Sequence, residues 1–269
     1  MKFISVNLLF SLLCISSLAQ AADPSLIRLA TTTSTDNSGL LNKILPAFSA
    51  ETGYKVHVIA VGTGKALRLG KDGDVDVVLV HARAAEDKFV EEGSGVKRYP
   101  VMYNDFVIVG PKSDPARIAG VKTSKEVFNR IQDSNSLFIS RGDNSGTHKK
   151  ELSIWKSAGL EPKGEWYREV GQGMGKVLQM ANELDAYTLT DRGTWLAYQS
   201  KVELQIVFEG ESSLFNPYGI IAVNPARYPD INFAGASALI DWITAKNKGQ
   251  MMIDDFKLAG KQLFIPNAD

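Results

Sequence analysis

The chain has 269 residues, with 30 basic and 30 acidic side chains and no basic run or patch, which argues against nucleic acid as a partner. Its length suits one large or two medium domains with real cores. The single cysteine, Cys14, lies in an N-terminal segment that reads as removable, so the mature chain has no thiol for disulfides or thiolate metal sites.

That segment opens with Lys2, continues through an apolar run that includes Leu8, Leu9, Phe10, Leu12 and Leu13, and exits at Ala19-Gln20-Ala21. A positive start, a short apolar stretch and a small-x-small exit predict a secretory signal peptide over residues 1–21, leaving Ala22 first. A membrane anchor fits less well. Ser5, Asn7, Ser11, Ser16 and Ser17 break the run, which is short for a span of about 20 apolar residues. Leu13 stands before Cys14 where a lipid-anchoring cysteine wants a small residue, so a soluble exported product is expected. Loss of Lys2 leaves 29 basic against 30 acidic residues, a mature net charge near −1.

Strand-like and helix-like runs then alternate. Residues 26–30 predict a strand. Over 39–52, Leu40, Ile44 and Phe48, with Leu41 and Leu45, fall on one helical face, Gly53 ends the helix, and Pro46 should kink or restart it. Residues 54–61 alternate as a strand, a brief helix covers 64–71, and 76–80 is a continuous apolar run typical of a buried parallel strand. Helix 84–92, strand 105–109, helix 125–131, strand 137–140 and helix 146–158 follow. Further helices are expected at 173–183, 193–199, 234–246 and 250–258, with a strand at 218–223. This order predicts an α/β fold of parallel sheets covered by helices. No linker divides it, as two lobes joined by crossing strands would explain.

Several strand-to-helix junctions carry donors. Thr31-Thr32-Thr33-Ser34-Thr35 places five hydroxyls where one or two would serve as a cap, and such a helix start suits an anion. Gly62-Thr63-Gly64-Lys65-Ala66 resembles a P-loop only faintly. Ile59 replaces its first glycine and Ala66 the magnesium-binding hydroxyl, so nucleotide binding is rejected. In Ser140-Arg141-Gly142-Asp143-Asn144-Ser145-Gly146-Thr147, Arg141 can fork two N–H groups onto an oxyanion. Gly171-Gln172-Gly173-Met174-Gly175 allows close backbone approach, and Thr188 could face a cleft, with Asp191 capping the next helix.

Among the histidines, His57 falls on the polar phase of its strand, His81 ends a buried strand with functional and structural roles equally open, and His148 shares a helical face with Leu152 and Trp155. No acid is placed to orient His148 toward Ser145, so no enzyme is expected. No His/Asp/Glu cluster has metal-ligand spacing.

The segments ATTTSTDNSGLL, VGTGKAL, DVVLVHA, YNDFVIVGP, SRGDNSGTHKKE, GQGMG and AYTLTDRGTWLA together resemble the tungstate-binding proteins of bacterial ABC importers, the TupA type. The resemblance runs in order from about Leu29 to Tyr198. It implies a two-lobe type II periplasmic-binding-protein fold, each lobe a mostly parallel sheet flanked by helices, with the oxyanion in the interlobe cleft. The divisions expected are 22–104 for the first part of lobe 1, 105–214 for lobe 2 and 215–269 for the rest of lobe 1. Carried over by position, the implied ligands are Thr32, Thr33, Ser34, Thr63, Arg141, Ser145, Gly146 and Thr147, with backbone N–H near Gly173 and Thr188. The expected product is a periplasmic monomer that binds tungstate, needs no cofactor or bare metal cation, and delivers its ligand to an inner-membrane permease. Tungstate accepts hydrogen bonds only, whereas monohydrogen phosphate also wants a carboxylate. Asp36, Asp143 and Asp191 lie near the loops and keep phosphate open. The same fold would equally suit a binder of molybdate or sulfate, or a periplasmic oxyanion sensor module.

Overall fold

A computed structural model describes residues 23–143 and 145–268. The segment read as a signal peptide, including Cys14, lies outside the described residues. In chain order the elements are β1 (Leu26–Thr32), α1 (Thr33–Asn37), α2 (Leu40–Thr52), β2 (Lys55–Val61), α3 (Thr63–Asp72), β3 (Val77–Val80) and α4 (Arg83–Glu91). They continue with β4 (Gly95–Gly110), α5 (Ser124–Asp133), β5 (Phe138–Ser140), α6 (Gly146–Ser157), β6 (Tyr167–Glu169), α7 (Met174–Glu183), β7 (Thr188–Asp191), α8 (Arg192–Tyr198), β8 (Gln205–Phe208), β9 (Phe215–Val223) and α9 (Phe233–Thr244).

The main sheet is mixed. β2, β1 and β3 run parallel, as their βαβ connections require. β9 then pairs antiparallel with both β3 and β4. Expecting mostly parallel sheets suits the β2–β1–β3 end, and β4 and β9 are crossing strands of the kind expected, whose antiparallel pairing makes the sheet mixed. β4 is the long crossing strand: its residues from Gly95 to Asp105 pair with β9, and from Phe106 onward they pair with β7 and β8. The change of partner falls between Asp105 and Phe106. β5 pairs parallel with β6 and bridges Tyr187 through Phe138.

α2 buries Leu40, Leu41, Ile44 and Phe48, the predicted stripe. Pro46 does not restart this helix. It sits on the exposed face with Asn42, whose carbonyl loses its i+4 donor but can bond water instead. The expected helix over 250–258 is shorter than its apolar content suggests. It stops at Asp254, and Lys257–Leu258 pairs with Lys261–Gln262 across Ala259 and Gly260, both at positive φ, the conformation a tight hairpin turn demands.

One core cluster joins α2 and α9 to the sheet and continues through Val101, Met102, Val107 and Val109 of β4 to Val177 and Leu178 of α7. A second lies under α5 and α6, where Trp155 packs edge-on to Phe128 and Phe138 at centroid distances of 4.2 and 5.5 Å. Both cores leave the carboxyl ends of β1, β2, β3, β5 and β7 pointing to one region, the place where α/β sheets bind ligands.

Candidate oxyanion-binding cleft

A cleft of about 1060 Å³ opens there. Its walls include the first residues of six helices: Thr33 and Ser34 of α1, Thr63 to Lys65 of α3, Arg83 to Ala85 of α4, Gly146 and Thr147 of α6, Met174 and Gly175 of α7, and Gly193 and Thr194 of α8. Each helix start leaves backbone N–H groups without intrahelical acceptors and adds the positive end of its dipole. One N-terminus is commonplace; six around a single cavity create a region of positive potential lined with donors. The charged lining has the same sign, since Lys65, Arg83, Arg141, Lys149 and Lys150 face one acid, Asp191.

The hydroxyl run at the end of β1 divides by burial. The Thr31 hydroxyl donates to the Leu79 carbonyl at 2.7 Å and is fully buried. Thr35 is equally buried, with its hydroxyl 2.6 Å from that of Thr32. Thr32 caps α1 by accepting from the Thr35 amide at 3.2 Å. Thr33 and Ser34 are exposed and line the cleft, as Thr32 does. Thr63 lines it too, as the first residue of α3 after the Gly62 cap.

Across the cleft, Arg141 follows β5 and lines the wall. Its Nε and Nη2 both donate to Asp143 Oδ2, at 3.1 and 2.5 Å. Asp143 Oδ1 also accepts from the Ser145 amide at 3.1 Å, so this acid ties the Arg141 side chain to the start of α6. These donors hold the Asp143 carboxyl below the usual range despite its partial desolvation. Ser145, Gly146 and Thr147 line the cleft, with Ser145 capping α6 through the His148 amide. Behind them Ser140 donates to the buried Glu151 at 2.8 Å, joined by Tyr167 at 2.8 Å and Trp155 at 3.2 Å. Burial pushes the Glu151 carboxyl up to about 7.

Two sequence-predicted residues, Thr188 and Gly173, are not themselves in the cleft wall. Thr188 is buried inside β7 and donates to the Ile139 carbonyl at 2.7 Å, so it braces β7 against β5 behind the cleft wall. Gly173 caps α7 and is exposed, while its neighbours Met174 and Gly175 form the wall. The His148 ring lies 3.2 Å from Glu169 Oε1, an acid partner that sequence reasoning did not place, and the His148 amide donates to the Ser145 hydroxyl. His57 is exposed. Among the described residues no group of three or more His, Cys, Asp and Glu could hold a metal ion, and no helix is long and apolar enough to cross a membrane.

Sequence reasoning missed a polar chain at the crossing strands. Asn104 of β4 and Asn216 of β9 stand opposite each other, and Asn216 Nδ2 donates to Asn104 Oδ1 at 2.8 Å. Asn216 Oδ1 lies 3.0 Å from His81 Nδ1, and His81 Nε2 lies 3.2 Å from the Thr32 hydroxyl and 3.3 Å from that of Ser34. The available signal was an asparagine interrupting each of two apolar strands. Lys150, also unanticipated, donates from α6 to the Ser213 and Phe215 carbonyls at 2.6 and 3.2 Å, at the start of β9.

Comparison with known proteins agrees with this architecture. A family model described as a PBP superfamily domain matches residues 19–247. The tungstate-binding protein TupA of Peptoclostridium acidaminophilum is 48% identical over 246 residues, spanning 90% of this chain and 86% of that protein. The solved tungstate-binding protein TupA from Desulfovibrio alaskensis G20 superposes with a TM-score of 0.86 at 46% identity, covering 91% of this chain and 99% of that one. The tungstate ABC transporter structure from Geobacter sulfurreducens gives 0.76 at 57% identity, over 86% and 98%. The chain therefore belongs to the PBP superfamily and, within it, to the TupA family of tungstate-binding proteins.

Proposed function

We propose that this protein captures tungstate in the periplasm as a monomer and delivers it to the permease of an ABC importer in the inner membrane. It acts as a binding protein, not an enzyme, and tungstate is its ligand, not a cofactor. The observation that carries this reading is the convergence of six helix N-termini and five cationic side chains on one cleft. That environment suits an anion that only accepts hydrogen bonds.

The carboxylates that kept phosphate open support the same reading. Asp36 is absent from the cleft wall, and Asp143 is engaged by Arg141 and Ser145. Asp191 lines the wall but accepts from the Thr194 amide and hydroxyl at 2.8 and 2.7 Å. A protonated phosphate oxygen thus meets no carboxylate without donors of its own, and a fully deprotonated dianion has no such need. Thr32, Thr33, Ser34 and Thr63 are the ligands from one wall, with Arg141, Ser145, Gly146 and Thr147 opposite.

Residues 22–104 and 215–269 form lobe 1 and residues 105–214 form lobe 2. The change of strand partner at Asp105/Phe106 supports this division. The cleft volume exceeds the needs of a five-atom ion, since roughly 300–1,000 Å³ suits a drug-sized ligand. Capture therefore draws the lobes together. Native mass spectrometry of the mature protein mixed with equal tungstate, molybdate, phosphate and sulfate tests the assignment. One tungstate per protein is expected; occupancy by phosphate contradicts it.

A further inference from the structure

We propose that His81 is a positioning residue of this cleft: it sets the direction of the Thr32 and Ser34 hydroxyl protons and takes up one proton from solvent as a dianion binds. The proposal rests on the oxyanion reading above and deepens it.

The polar chain fixes the tautomer. Asn216 commits its NH₂ to Asn104, so its oxygen faces the imidazole. An amide oxygen only accepts, and His81 Nδ1 must carry a proton. In the neutral ring Nε2 is then an acceptor, and Thr32 or Ser34 turns its O–H toward it. That hydroxyl proton is lost to the cleft. When Nε2 gains a proton it donates to the hydroxyl oxygen, and the hydroxyl proton is free to reach an anion. One N–H bond forms at Nε2, and one bond to that proton breaks in the hydronium ion or buffer acid that supplies it. A dianion favours the protonated ring twice over, through one more donor and one more positive charge.

The surroundings favour the neutral ring. Part of the ring opens to the cleft wall, yet burial pushes the imidazole below its usual range, against the smaller opposing effects of the Asn216 bond and the Asp191 charge. Tyr218 packs at a centroid distance of 4.7 Å, and burial raises its phenol, so it stays neutral. From α6, Gly146 brings a helix N-terminus beside the ring, where an added Cβ would stand 3.7 Å from His81 Cε1. The charged groups of the same wall are Lys65, Arg83, Arg141, Lys149, Lys150 and Asp191. Arg83 is paired with Asp87 and Arg141 with Asp143. Burial therefore favours the neutral His81 ring, and the dianion supplies the field that charges it.

The test is calorimetric titration of the mature protein with sodium tungstate, in buffers of differing protonation enthalpy, from about pH 6.5 to about pH 8.5. Wild type should take up protons, to a limit of about one per tungstate, and bind up to about tenfold tighter for each unit that pH falls. His81→Gln keeps a neutral hydrogen-bonding group but cannot titrate, so its proton uptake should vanish and its pH profile flatten. If that variant fails to fold, NMR titration of the wild-type imidazoles decides. There are three histidines, and His57→Gln and His148→Gln assign the remaining signal to His81. The His81 pKa should rise on saturation with tungstate. Tight binding without proton uptake, an unchanged His81 pKa, or an equal pH slope in His81→Gln overturns this proposal alone. Failure of wild type to bind tungstate at any pH overturns the oxyanion reading, and this proposal with it.

Discussion

Replacing Arg141 by glutamine removes a cation from the cleft wall. Its guanidinium rests on Asp143, at 3.1 and 2.5 Å. Binding a dianion must share or exchange this partner. A hydrogen bond to a charged group is worth about 1.5–3 kcal/mol, and each 1.4 kcal/mol is about tenfold in affinity. Arg141→Gln should therefore weaken tungstate binding by roughly 10- to 150-fold. It also strips Asp143 of its counter-charge, leaving a carboxylate near the anion. Adding Asp143→Asn to Arg141→Gln should then recover part of the loss, about tenfold, whereas Asp143→Asn alone should change affinity less. Arg141→Lys keeps charge without the fork and should fall between wild type and Arg141→Gln. Calorimetric titration of the set measures this cycle. Binding by Arg141→Gln within about twofold of wild type would refute the reasoning, because hydroxyls and backbone amides would then carry the site alone.

Glu151 should make stability depend on pH. Its folded pKa is raised from 4.5 to about 7, so the folded state holds the extra proton. The resulting stabilisation is complete below 4.5 and is lost as pH rises through about 7. At about 1.4 kcal/mol per pKa unit, wild type should lose about 3 kcal/mol relative to Glu151→Gln between about pH 4 and about pH 8, measured by urea unfolding. A constant difference between the two proteins contradicts the assignment. Thr188→Val should lower stability by about 1–3 kcal/mol by leaving the Ile139 carbonyl short of a donor, while tungstate affinity stays within about twofold. A large loss of affinity in a well-folded Thr188→Val protein would return Thr188 to the site.

The strand–loop–helix grammar was legible because local chemistry dictates it. The apolar stripe of α2 follows from side-chain period, and the donor-rich starts of α3 and α6 follow from what a helix N-terminus needs. β4 was legible only over its last apolar stretch. Pro100, Asn104 and Asp105 break its pattern, and its length comes from pairing first with β9 and then with β7 and β8. The chain from His81 through Asn216 to Asn104 was illegible for a related reason. Asn104 and Asn216 are 112 residues apart and meet only through strand register. Thr31 and Thr188 show the converse ambiguity. A hydroxyl in a donor-rich motif can as well bond a neighbouring strand's carbonyl, and sequence alone does not say which way it turns.

The central claim is that one tungstate is held between the starts of α1 and α3 on one side and the Arg141 loop with the start of α6 on the other. Anomalous diffraction from tungsten in crystals grown with tungstate locates that atom without reference to any assumed pose. The account predicts a single dominant peak in the cleft, with Ser34 and Thr63 on one side and Arg141 and Thr147 on the other at hydrogen-bonding reach of its oxygens. A dominant peak on the outer surface, or an empty cleft in crystals of tungstate-saturated protein, would contradict it.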